Sequence, residues 1–299
     1  MTEPFVIETA DLRKNYGAIE AVRGLSLQVP AGSICGFLGR NGAGKTTTLK
    51  MLLGMARPTS GHARVFGLAA DARESSLEIR RRTGFVGEDK DLYDSMTTGE
   101  TIRFTAGFFP SWRPDLEQRY LGMFELPLNR RVHSLSRGMR TKLALLLALC
   151  RGAELLILDE PTAGLDPATT EEVLRALVTH VASEEMTVFF SSHQIAEVDL
   201  IADRVVIIHH GREVVTGVLD DLRENFRRIQ LVFDREAPEP VFRAPGVERV
   251  SRQGRVVTVL SSGGADQILD EARALGPASV NVVPVTLKEI FLETVTAED

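Results

Sequence analysis

Gly39-Arg40-Asn41-Gly42-Ala43-Gly44-Lys45-Thr46-Thr47 stands directly behind the apolar run 33–38. The nonapeptide matches G-x-x-x-x-G-K-[ST], and the run before it reads as a strand buried on both faces. Glycines let such a loop bend until several backbone N–H groups point inward at a phosphate, and a helix starting near Lys45 adds the positive end of its dipole. Lys45 brings a full charge to the β- and γ-phosphates, and Thr46 a hydroxyl for Mg²⁺. Gly39, Asn41, Gly42, Ala43, Gly44, Lys45, Thr46 and Thr47 are therefore the candidate nucleotide contacts.

Working outward, runs 155–158, 187–190 and 205–209 are as apolar as 33–38. Together they predict an α/β domain with a mainly parallel sheet. Phe5-Val6-Ile7 and Leu25-Ser26-Leu27-Gln28-Val29 alternate more and predict an antiparallel β piece at the edge of that sheet. Between about 89 and 150 strand signals give way to helical patterning at 100–109, 115–124 and 138–150, a helical insert broken by Arg113-Pro114 and Leu126-Pro127-Leu128. Beyond about 220 short strands (228–233, 247–250, 255–260, 279–283) and helices (266–275, 287–294) predict a small α+β domain, entered through a loop with Pro238, Pro240 and Pro245. The expected division is 1–220 and 221–299.

Leu155-Leu156-Ile157-Leu158-Asp159-Glu160 is a buried strand that delivers two carboxylates at its C-terminal end. Hydrolysis of a Mg²⁺-nucleoside triphosphate needs one carboxylate near the metal and another to orient or deprotonate the attacking water. Asp159 is assigned to the metal and Glu160 to the water.

With these residues in place the chain resembles the nucleotide-binding subunit of an ATP-binding cassette (ABC) transporter, a P-loop NTPase cassette, over about residues 5–218. Leu135-Ser136-Arg137-Gly138-Met139 sits where that family has its LSGGQ signature. Pro161-Thr162-Ala163-Gly164-Leu165-Asp166 resembles its D-loop and Ser191-Ser192-His193 its switch-histidine motif. Tyr16, 29 residues before Lys45, is where the family places a ring against adenine. Ser136 could also cap the helix that begins near Gly138, making an anion site from hydroxyl, N–H groups and dipole. The resemblance implies that Ser136 and Gly138 receive the γ-phosphate of ATP held by Lys45 of a second ATP-binding subunit, two chains packing head to tail as a homo- or heterodimer. His193 is then placed to donate to the γ-phosphate or to hold the water geometry near Glu160.

Two departures from the family pattern stand out. Gly84-Phe85-Val86-Gly87-Glu88 ends in Glu where the family has a Gln that touches Mg²⁺ and the attacking water; Glu88 either binds Mg²⁺ more strongly or holds a proton. Arg137 and Met139 replace Gly and Gln of the signature. They leave open a second reading, a weakly hydrolysing regulatory subunit of an asymmetric complex. Phe104 to Trp112 reads either as core of the helical insert or as a docking groove for a membrane-spanning permease. The final segment Thr286-Leu287-Lys288-Glu289-Ile290-Phe291-Leu292-Glu293 resembles the closing helix of drug- and lipid-type export subunits.

Composition is that of a globular protein. Of 299 residues 43% are hydrophobic and 25% charged, with 35 basic against 41 acidic residues and a net charge of −6. A mildly acidic chain argues against a general nucleic-acid partner, since phosphate-backbone affinity comes from Lys and Arg. The longest apolar run, 143–150, falls far short of the roughly 20 residues of a membrane-crossing helix. Met1-Thr2-Glu3-Pro4 lacks the pattern of a secretory signal. Cys35 and Cys150 lie in apolar surroundings without metal-ligand spacing and read as packing thiols. The expected setting is the cytoplasmic face of a membrane, reached through the permease.

Overall fold

A computed structural model describes residues 5–184, 186–239 and 242–295. Met1-Thr2-Glu3-Pro4 and Pro240 lie outside the described residues. The chain divides into two compact units, the first ending at Glu213 and the second starting at Val214.

The first unit begins with β1 (Phe5–Tyr16), β2 (Ile19–Leu25), β3 (Gln28–Pro30), β4 (Ile34–Leu38), α1 (Lys45–Leu52), β5 (Ser60–Val65), β6 (Leu68–Ala69), α2 (Arg73–Arg82) and β7 (Thr83–Val86). The helical insert follows as α3 (Thr98–Ala106), α4 (Pro114–Met123) and α5 (Arg137–Leu149). The chain then returns through β8 (Leu155–Asp159), α6 (Pro167–Glu184), β9 (Thr187–Ser192), α7 (Ile195–Ile201) and β10 (Arg204–His209). Strand β11 (Arg212–Val218) crosses the boundary between the units.

Strands β10-β4-β9-β8-β7 lie side by side in that order, every pair parallel. Every residue of β4, β8 and β9 is buried, which is why these segments read as unbroken apolar runs. The antiparallel β piece is not an edge of this sheet. It is a separate sheet, β2-β1-β5-β6 with β3 also paired to β1. Its inward residues Ile7, Leu12, Val22 and Val65 share one core with Phe37 and Phe189 of the parallel sheet. A strand with one apolar face is stable when that face lies on another layer, and here the strands stack rather than extend the sheet.

The register of the parallel sheet positions the site. Leu38 pairs with Ser192 and Asp159 with Ser191, so β4, β9 and β8 end level with one another. Neighbouring strands are about 4.8 Å apart. The loops after β4, β8 and β9 therefore converge at the carboxyl edge of the sheet, where open α/β sheets bind ligands.

The helices of the insert start on identifiable caps. Thr97 and Glu100 form a reciprocal capping box ahead of α3, and Pro114 opens α4. Ser136 caps α5, its Oγ accepting from the Met139 N–H at 3.2 Å. Both Cys35 and Cys150 are buried thiols whose pKa burial pushes up to about 12.

The second unit holds α8 (Leu219–Asn225), β12 (Arg227–Val232), β13 (Val247–Gln253), β14 (Val256–Ser261), α9 (Ala265–Ala274), β15 (Ser279–Pro284) and α10 (Leu287–Val295). Its antiparallel sheet runs β13-β14-β12-β15, with Ile229, Leu231, Val257 and Val259 packed on Ile268 and Ala272 of α9. Arg228 and Arg249 tie α10 to this sheet through Glu289 and Glu293, at 2.9 and 2.8 Å. Among the described residues no helix is long and apolar enough to cross a membrane.

Candidate active site

The Gly39–Thr47 loop leaves β4 and turns into α1. The Gly39 N–H donates to the Ser192 carbonyl at 3.2 Å, fixing the loop to the end of β9. Gly44 sits at φ 105, and a Cβ there would run into the Ala21 carbonyl, so both the conformation and the space demand glycine. Lys45, buried at 6% exposure, points its ammonium at three oxygens. These are the Gly39 carbonyl at 2.8 Å, the Arg40 carbonyl at 3.3 Å and Glu160 Oε1 at 3.0 Å. Asn41, Gly42, Thr46, Thr47, Glu88 and His193 complete a cleft of about 300 Å³ with Gly44, Lys45, Glu160 and Ala21.

Asp159 and Glu160 are held by a buried serine that sequence reading passed over. Ser191 Oγ donates to Asp159 Oδ1 at 2.7 Å and accepts the Glu160 N–H at 3.0 Å. Glu160 takes φ 47, a left-handed conformation uncommon for a side chain of this size. Its carbonyl accepts from Lys90 Nζ at 3.0 Å, and its Oε2 lies 2.7 Å from His193 Nδ1. His193 follows β9 on a turn fixed by Ser192, whose Oγ accepts the Gln194 N–H at 2.9 Å and donates to Glu197 Oε2 at 2.8 Å. Burial raises the Glu197 pKa, which favours its protonated form.

The donor set also fits Mg²⁺. Thr46, Asp159 and Glu88 face one adjoining cavity of about 460 Å³ and offer oxygen atoms, the ligands a hard cation takes. Among the described residues no group of three His, Cys, Asp and Glu side chains forms a metal cage.

Residues 22–163 match the family described as ABC transporter. The bacitracin transport ATP-binding protein BcrA of Bacillus licheniformis is 37% identical, over 75% of this chain and 73% of that one. The chain belongs to the ABC transporter family. The daunorubicin/doxorubicin resistance ATP-binding protein DrrA of Streptomyces peucetius is 36% identical, over 73% of this chain and 67% of that one. A solved ATP-binding subunit of an ABC transporter superposes with a TM-score of 0.66 at 29% identity, covering 73% of this chain and 92% of that one. The protein is thus an ATP-binding, ATP-hydrolysing subunit of an ATP-driven transporter.

Not every candidate residue of this ABC ATPase enters the cleft. Gly39 and Ala43 shape the loop from beneath: a Cβ on Gly39 would meet the Ile208 carbonyl at 2.7 Å, and Ala43 is buried. Tyr16 stands at the end of β1, half exposed, with Lys14 Nζ 4.9 Å from its ring centre. Ser136 and Gly138 are at the start of α5 and do not line the cleft that holds Lys45. The Arg137 guanidinium lies against Gly164 of the D-loop-like segment, in the room left by the missing Cβ. Ser191, Lys90 and Glu197 were not singled out from sequence. Ser191 lay within a quoted motif, whereas nothing local marks Lys90, which meets Glu160 across 70 positions.

Proposed function

We propose that this subunit powers export through a separate permease, closing on ATP as a head-to-tail dimer and opening after hydrolysis. The observation that carries the reading is the contact of Glu160 with both Lys45 and His193 at the mouth of the phosphate loop. An incoming γ-phosphate competes with Glu160 for Lys45. Once Lys45 turns to the phosphate, Glu160 Oε1 is freed to accept a proton from water. The water oxygen bonds to the γ-phosphorus while the bond to the ADP oxygen breaks, and the proton passes to Glu160. His193, held at Glu160 Oε2, lines the same cleft as Lys45 and would donate to the γ-phosphate or hold the water geometry. Thr46, Asp159 and Glu88 would hold Mg²⁺, which neutralises phosphate charge when bound.

Ser136, at the N-terminus of α5, is suited to an anion through its hydroxyl and the helix dipole. Its place outside the cleft favours a phosphate presented by a second chain. ATP would then bridge Lys45 of one subunit and Ser136 of the other, and loss of the γ-phosphate would break the bridge. The relatives' names, a bacitracin transport protein and an anthracycline resistance protein, support export. On the helical insert Tyr93, Phe104 and Phe108 form an exposed aromatic cluster, with ring centres 5.3 and 5.1 Å apart, that suits a permease contact. The regulatory-subunit reading is disfavoured, because a site relieved of hydrolysis has no need of the Glu160–His193 contact.

The trans arrangement is tested by mixing two variants, Lys45→Met and Ser136→Arg. Each alone is expected to be inactive. Random mixed dimers carry one intact composite site in half of the population, so about a quarter of the wild-type sites return. No recovery on mixing, with both variants folded, refutes the composite site.

A further inference from the structure

Lys90 carries a charge that the chemistry above gives no task. It lies two residues after Glu88, is 7% exposed, and donates to the Glu160 carbonyl at 3.0 Å. A buried ammonium forfeits its hydration, and one neutral carbonyl does not compensate it. Carboxylates stand nearby: Glu88 and Asp159 line the same cavity as Lys90.

The peptide that Lys90 holds is an unusual one. Glu160 has φ 47 and precedes Pro161, and a residue before proline is already restricted by the ring. Such a conformation persists when its surroundings over-determine it. Pro161 has no N–H, so the Glu160 carbonyl is the one hydrogen-bonding group of that peptide. Ser191 fixes Glu160 through its N–H, and Lys90 fixes it through its carbonyl.

The same turn carries a carboxylate, Glu88, and a buried cation, Lys90. We propose that Lys90 is the charge partner of Glu88 and a positioning residue for Glu160: it offsets the additional carboxylate beside Asp159 and holds the 160–161 peptide so that the Glu160 side chain faces the cleft. This rests on the reading of Glu160 as the base. Glu88 and Lys90 then form a unit in which neither is replaceable alone. A neutral residue at 88 leaves Lys90 as excess positive charge next to the metal ligands, and a neutral residue at 90 leaves Glu88 and Asp159 without the buried cation that shares their cavity.

Lys90→Met, Glu88→Gln and the double variant test the pairing through kcat, the KM for ATP and the Mg²⁺ concentration at half activity. Lys90→Met is expected to lower kcat at least about tenfold with KM changed less than about twofold, the signature of a displaced catalytic group. Lys90→Arg, which keeps the charge, should retain more activity than Lys90→Met. Although Glu88→Gln alone also lowers activity, adding it to Lys90→Met should raise kcat about threefold or more, a coupling that independent sites do not show. Losses that simply multiply overturn the pairing, as does a rise in KM at unchanged kcat. If Lys90→Met shows no cooperative melting, Lys90→Gln takes its place in the same cycle with Glu88→Gln, and losses that multiply overturn the pairing. Failure of the base reading appears separately, as Glu160→Gln protein that hydrolyses ATP at the wild-type rate.

Discussion

Replacing Ser191 by Ala removes two hydrogen bonds at once from the fully buried end of β9. Its Oγ donates to the Asp159 carboxylate at 2.7 Å and accepts the Glu160 N–H at 3.0 Å. A hydrogen bond to a charged group contributes about 1.5–3 kcal/mol, and a buried N–H left unpaired costs about 1–3 kcal/mol. Ala adds no bulk, so the local packing is otherwise kept. The sum, allowing for relaxation, is a loss of about 3 kcal/mol. Urea titration followed by the fluorescence of Trp112, the one tryptophan, reports on the unit that contains Ser191. The midpoint should fall with the slope unchanged, because the surface exposed on unfolding is the same. ATP hydrolysis should fall too, since Glu160 loses its N–H anchor. A stability loss under about 1 kcal/mol at unchanged slope would refute the claim that Ser191 is the common support of both carboxylates.

His180, which accepts from or donates to Tyr120 Oη at 2.8 Å, gives a pH-dependent prediction. Burial lowers its pKa from 6.5 to about 4. The unfolded chain takes up this proton near 6.5 and the folded chain near 4, so stability present above pH 6.5 is lost as pH falls and levels off below about 4. Between pH 7.5 and 5 the loss should be about 2 kcal/mol in wild-type protein and absent from the corresponding difference in His180→Gln, as read by urea midpoints. On the insert, Phe108→Ala should weaken co-purification with the permease while leaving ATP hydrolysis by the isolated subunit within about twofold, because Phe108 is an exposed side chain that lines neither cavity of the site. Trp112→Ala should instead destabilise the insert, since its Nε1 donates to Glu117 Oε2 at 2.8 Å.

The parallel sheet and phosphate loop were legible because their signals are local. Residues 34–38 carry no charged side chain and are nearly continuously apolar, and the glycines and Lys45 follow at once. The helical insert was legible for a similar reason, through its breakers at Pro114 and Pro127 and the capping residue Ser136. What was not legible depends on long-range pairing. β1 pairs with β5 at Ile7↔Val65, and β5 is a short run, Ser60-Gly61-His62-Ala63-Arg64-Val65, with no strong pattern of its own. The antiparallel strands could therefore be sensed but not separated into their own sheet. Lys90 stands between Asp89 and Asp91, and nothing in that turn marks it; its link to the Glu160 carbonyl comes from the fold. The aromatic stretch shows the limit of composition: Phe104 and Phe108 are exposed while Trp112 is half-buried and hydrogen-bonded, a division that no periodicity in the segment announces.

The central proposal is that ATP bridges Lys45 of one ATP-binding subunit and Ser136 of another, and its simplest form is that the other subunit is a second copy of this chain. Light scattering of Glu160→Gln protein, which should bind ATP but turn it over at least about a hundredfold more slowly, tests it most directly. The account predicts twice the monomer mass with Mg-ATP and the monomer mass with Mg-ADP, and predicts that Ser136→Arg in the same background abolishes the doubling. Monomer mass under both nucleotides, with ATP binding saturated, would contradict it.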